Sequence, residues 1–136
     1  MVETTINLWA VLVAAIAAMI IGSLWYSPMM FAKEWLAALG KSETDAKASA
    51  TGPTYLVATI SSLVTAYVMA HFIDYAGATN AWSGALTGFW IWLGFVFAMM
   101  VTGSLFEGRS MKLLFINATN ALVTLMVIGA ILAAWA

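Results

Sequence analysis

The sequence predicts an all-α integral membrane protein: a four-helix bundle with a short interfacial amphipathic helix between helices one and two. Three observations predict it. Of the 136 residues, 64% are hydrophobic and only 8% charged, so a water-soluble surface of ordinary charge density cannot be built. A crossing needs roughly 20 mostly apolar residues, and the chain holds four such stretches with short connections. The apolar runs are continuous rather than alternating, which excludes barrel strands, and only a helix satisfies its own backbone polar groups within one segment. A single transmembrane domain over residues 1–136 is expected.

The first crossing is placed at about residues 6–26. It follows Glu3 rather than a basic region and is too long for a signal-peptide core, so it is read as a retained helix. At helical spacing Asn7, Ala10, Ala14, Ala17, Ala18 and Gly22 share one side, opposite Leu12, Ile16, Met19 and Ile20. Ser27-Pro28 disfavours a straight continuation. Ser27 is suited to cap a helix over about 28–39, with Gly40 as its stop. In that segment Phe31, Ala32, Trp35, Leu36 and Leu39 share a face, while Lys33, Glu34 and Ala37 lie on the other, so it is expected to lie flat in the interface. A brief helix capped by Ser42 follows in the aqueous stretch 41–52.

The second crossing, about 54–73, has Pro53 in its first turn. The third, about 82–106, is capped by Asn80 and carries Gly84, Gly88, Gly94, Ala98 and Thr102 as a small face opposite Trp90, Leu93, Phe97 and Met100. The fourth runs over about 112–135. Small faces let helix backbones approach closely where lipid supplies little hydrophobic force for association. Trp9, Tyr75, Trp82 and Trp135 are expected to form one interfacial belt, and Trp25, Tyr26, Trp35, Tyr55 and Phe106 the other.

All five basic residues, Lys33, Lys41, Lys47, Arg109 and Lys112, fall in the first and third connections. Those connections are therefore expected on the cytoplasmic side, with both termini and the region around Asp74 outside. The net charge of −1 and the scattered basic residues give no nucleic-acid footprint. There is no cysteine, and hence no disulfide or thiolate chemistry. No nucleophile–base pair, two-histidine metal spacing or phosphate-cradling glycine loop is present, so no enzyme activity, cofactor or metal is expected.

The second crossing carries Thr54, Ala58, Ser61 and Thr65 on one stripe, and the fourth carries Asn117, Asn120 and Thr124. An amide in hydrocarbon needs a partner, and Ser61 and Thr65 are the expected ones. His71, the sole histidine, shares its face with Ile60, Val64 and Tyr67 and is read as an interfacial side chain with Asp74 one turn on. Glu107 and Arg109 are expected to pair in the tight third connection, where Gly108 relieves the backbone. Gly22-Ser23-Leu24-Trp25 and Gly103-Ser104-Leu105-Phe106 occupy similar places at two helix ends, although a composition this biased produces such matches readily.

The run Gly22-Ser23-Leu24-Trp25-Tyr26-Ser27-Pro28, followed by Phe31 and Trp35, resembles the signature of a bacterial family of small four-helix membrane proteins known only as domain of unknown function 1761. Phe106-Glu107-Gly108-Arg109 and Asn117 resemble that family's second recurring patch, and Ala32 stands where glycine is expected. The resemblance covers nearly the whole chain and implies a fold and a location in the bacterial inner membrane. Two function-bearing classes of similar size do not fit. Small multidrug transporters need a membrane-embedded glutamate in the first helix, and dual-topology fluoride channels carry little bias in basic residues. The expected role is helix association, as a homo-oligomer or an accessory subunit of a larger membrane complex. The alternatives are a solute or ion pathway lined by Ser61, Thr65, Asn117, Asn120 and Thr124, and lipid binding through Trp25, Tyr26, Trp35 and Arg109.

Overall fold

A computed structural model describes residues 6–135, and Glu3 lies outside them. The described residues are helical, with no strand. In order they form α1 (Leu8–Trp25), α2 (Ala32–Leu39), α3 (Glu43–Ser49), α4 (Gly52–Ala76), α5 (Ala81–Ile91), a π-helical turn (Trp92–Phe97), α6 (Ala98–Glu107) and α7 (Met111–Ala134). The run Ala81–Glu107 is continuous, so four helices are long and apolar enough to cross a membrane. Each lies within a few residues of its expected span.

The helix ends follow their local chemistry. Asn7 is the N-cap of α1, its side chain accepting from the backbone N–H of Trp9 and Ala10, and not a member of the packing face. Ser42 caps α3 in a reciprocal box with Asp45, whose carboxylate accepts from the Ser42 N–H at 3.0 Å. The backbone and side-chain hydrogen bonds from Ser42 hold that exposed carboxyl below the usual range. Thr51 caps α4 ahead of Pro53, and Asn80 caps α5 in a second box with Ser83.

One cap departs from expectation. The segment over 26–31 forms tight turns and α2 starts at Ala32, with Phe31 before it and no side-chain cap. The Ser27 hydroxyl donates backwards to the Leu24 carbonyl at 2.6 Å, which finishes α1 rather than starting α2. The apolar face of α2 is as expected, with Phe31, Trp35, Leu36 and Leu39 half-buried, and it packs on α7. Glu34, expected on the solvated face, is also half-buried.

The core is a seam along α7, which touches α1, α4, α5, α6 and α2. Ala10, Ala14 and Ala18 of α1, with Val11 and Ala15, meet Leu125, Ile128 and Leu132 of α7 and Ala66, Met69 and Ile73 of α4. Leu12, Ile16 and Ile20 face outward, as the sequence predicts, while Ala17 and Gly22 sit at the edge of the small face.

Against α5 the approach is closer still. A Cβ on Gly84 would collide with the Gly129 carbonyl oxygen and one on Gly88 with that of Leu125, so the two backbones are in contact only because these residues are glycines. The remainder of the predicted small face does not join them: Gly94, Ala98 and Thr102 are exposed. The π-turn is the physical reason. Its wider i→i+5 turn slows rotation about the axis, so the inward face steps through Gly84, Gly88, Trp92, Val96, Met100 and Ser104 in intervals of four.

The second-crossing stripe is also corrected. Helix α4 buries Ala66, Met69 and Ile73, whereas Thr54, Ala58 and Ser61 are exposed and Thr65 half-buried. Two of these hydroxyls are satisfied within the segment's own backbone: Thr54 donates to the Ser49 carbonyl at 2.9 Å and Thr65 to that of Ser61 at 2.9 Å. A hydroxyl bonded four residues back needs no partner helix.

Candidate functional site

The residues of the sequence signature are drawn together where α1 ends. Proline at 28 biases Ser27 away from helical geometry, and the chain turns so that the Phe31 N–H donates to the Trp25 carbonyl at 3.0 Å and the Ala32 N–H to that of Ser27 at 3.1 Å. The elbow places Trp25 against Phe31, ring centroids 4.8 Å apart, and Tyr26 against Trp35 at 4.7 Å. Both separations suit offset aromatic pairs, and they tie α2 to the end of α1.

The elbow is fastened to α7 by polar contacts. Trp25 is buried, and its indole Nε1–H donates to the Ile116 carbonyl at 3.0 Å. It is therefore a strut inside the protein rather than the lipid-facing belt residue expected. Tyr26 donates its hydroxyl to Asn117 Oδ1 at 2.7 Å and stands within reach of the Asn120 side chain. Asn120 Oδ1 is buried without a hydrogen bond. A second indole arrives from the π-turn, where Trp92 donates to the Ala118 carbonyl at 2.8 Å and stacks on Phe97 at 4.8 Å. Residues 116 and 118 are about 200° apart around the helix axis, so α7 is held from two sides.

The second patch meets the first at Asn117. Gly108 takes a left-handed φ of 68° that ends α6, the Arg109 N–H returns to the Ser104 carbonyl at 3.0 Å, and Arg109 pairs with Glu107 through Nε as expected. Between this loop, α6 and α7 lies an open cavity of about 180 Å³. Met100, Gly103 and Ser104 form its α6 wall, and Leu113 and Asn117 its α7 wall, with Glu107 and Arg109 at the mouth. Phe106 is 90% exposed, unlike its counterpart Trp25, so the two Gly-Ser-Leu-aromatic helix ends are not structurally equivalent.

Other candidates stay apart from this site. Asn117 bonds Tyr26 rather than Ser61 or Thr65, and Thr124 is half-buried farther along α7. The predicted polar stripe is thus split between two surfaces. His71 lies half-buried on the outer face of α4, its ring edge-on to Tyr67 at 4.9 Å. Among the described residues no three His, Asp or Glu side chains gather to hold a metal. Sequence reasoning missed Trp92, Met100 and Ser104. A tryptophan at the middle of a crossing, far from either belt, was the available signal, because its N–H must find an acceptor there.

These contacts join the two sequence patches into one continuous surface, and a family model whose description is protein of unknown function DUF1761 matches residues 9–133. The chain belongs to the DUF1761 family. The match begins in the first turn of α1 and ends one residue short of the end of α7. The elbow and the cavity of this DUF1761 chain both fall inside it. Neither a curated protein nor a solved structure matches the sequence.

Proposed function

We propose that this DUF1761 chain acts by helix association in the bacterial inner membrane, as a homo-oligomer or as an accessory subunit of a larger membrane complex. The observation that carries the reading is the third crossing. Only 6% of its most apolar stretch is buried, against 33% for the first and fourth crossings. Gly94, Ala98 and Thr102 recur every four residues along this exposed side. The same crossing already uses Gly84 and Gly88 to bring another backbone into contact, and a second small-residue strip facing outward suits a helix from another polypeptide. The Thr102 hydroxyl is bonded to the Ala98 carbonyl at 3.2 Å, so the strip offers shape rather than an unsatisfied polar group.

Because the chain lacks cysteine, single cysteines report proximity cleanly. Ala98→Cys is expected to cross-link in native membranes, either to a second copy or to a distinct protein, while Ile16→Cys on the exposed side of α1 does not. Absence of any Ala98→Cys product, together with a monomer in mild detergent, would overturn the reading.

A further inference from the structure

We propose that the cavity between α6 and α7 is a binding site for an anionic phospholipid of the leaflet facing the basic connections. Two features of the cavity specify this ligand. Its walls change character with depth. From the first residue of α7 to Asn117 is a rise of about 9 Å, roughly the passage from the headgroup region into hydrocarbon. On the α7 wall Leu113 lies in the first turn and Asn117 one turn deeper, while on the α6 wall the lining passes from Glu107, beside Arg109 at the mouth, through Ser104 and Gly103 to the apolar Met100. Along that α6 wall a phosphate, a glycerol ester and the start of an acyl chain follow each other in the same order.

The mouth also favours negative charge. Glu107 engages Arg109 at Nε, and a guanidinium carries four further N–H bonds. Lys112, exposed in the first turn of α7 and next in sequence to the lining residue Leu113, adds a second cation at this end of the helix, so the Glu107 carboxylate is outnumbered. The cavity exists because the chain is small on the α6 side: nothing lies within 4 Å of a Cβ built on Gly103. A larger side chain fits there without disturbing the helix and would occupy the ligand's space.

The test compares phosphatidylglycerol with phosphatidylcholine in mixed detergent micelles, reading lipid retention by native mass spectrometry and protein integrity by thermal melting. The wild-type protein is expected to retain phosphatidylglycerol preferentially. Arg109→Gln with Lys112→Gln should weaken that retention about thirtyfold, since each basic residue near an anionic headgroup contributes about fivefold. Gly103→Leu should abolish the preference at unchanged charge, with Ser104→Leu as a second filler if the first melts early. Equal retention of both lipids would sink the proposal, as would a preference that survives filling of the cavity. Displacement of the lipid by excess inorganic phosphate would overturn it in favour of a free-anion site. None of these readouts depends on whether Ala98→Cys cross-links, so the two proposals fail separately.

Discussion

Trp25, Tyr26 and Trp92 each spend a polar hydrogen on α7, and the three contacts differ in what their loss leaves behind. The indoles donate to main-chain carbonyls already bonded within the helix, using a second lone pair, so removing one orphans no acceptor. Tyr26 is bound to a half-buried side-chain amide, whose Asn117 oxygen would lose its hydrogen-bond donor. Tyr26→Phe is therefore expected to destabilise the bundle slightly, and Asn117→Leu to do the same. A thermal-melting double-mutant cycle should show a coupling of about 0.6 kcal/mol and no more than about 1.7. Strictly additive effects would show that the hydroxyl–amide bond contributes nothing. That Asn117 must face protein was legible, because an amide in hydrocarbon requires a partner. Its actual partner was not, because Tyr26 reads as a belt residue until the elbow at Ser27-Pro28 folds it back. The same ambiguity hid the role of Trp25: an aromatic residue at a helix end suits the interface and the interior equally well.

At the scale of elements, glycines that look alike in sequence have opposite consequences. Gly88 abuts the Leu125 carbonyl, whereas nothing lies within 4 Å of a Cβ on Gly22. Alanine ordinarily favours a helix interior by about 0.5–1 kcal/mol over glycine. Gly22→Ala is thus expected to be neutral or mildly stabilising. Gly88→Ala should instead force α5 from α7 and cost about 1–3 kcal/mol, as overpacking does. Melting temperatures in one detergent decide the matter, and a Gly88→Ala protein as stable as wild type would contradict the close approach. The small face of the third crossing was legible up to Gly88, where regular helical spacing holds. Beyond it the π-turn at Trp92–Phe97 shifts the register, and no residue pattern announces an i→i+5 turn. The sequence therefore assigned Gly94, Ala98 and Thr102 to the wrong side. The caps were more transparent, because Ser42 with Asp45 and Asn80 with Ser83 act over three residues and require no knowledge of the partner helix.

For the whole molecule, the number and placement of crossings follow from hydrophobic length alone, which is why all four spans were legible. The order in which they pack was not, since every apolar face is acceptable to lipid and only shape separates α7 from its neighbours. Orientation is a third kind of property, fixed during insertion by charge rather than by packing. The connection holding Lys33, Lys41 and Lys47 and the one holding Arg109 and Lys112 lie at the same end of the bundle, because the crossings alternate in direction. No basic residue marks the opposite end. The tendency of basic residues to stay on the cytoplasmic side predicts Ser49 inside and the turn containing Thr79 outside. Both positions are exposed and lie outside the crossings, so a cysteine at either is reachable without disturbing the core. An impermeant maleimide added to intact cells is expected to label Thr79→Cys and to spare Ser49→Cys until the membrane is permeabilised. Labelling of Ser49→Cys in intact cells with protection of Thr79→Cys would invert the orientation, and the charged cavity mouth at Arg109 would then face the outer leaflet.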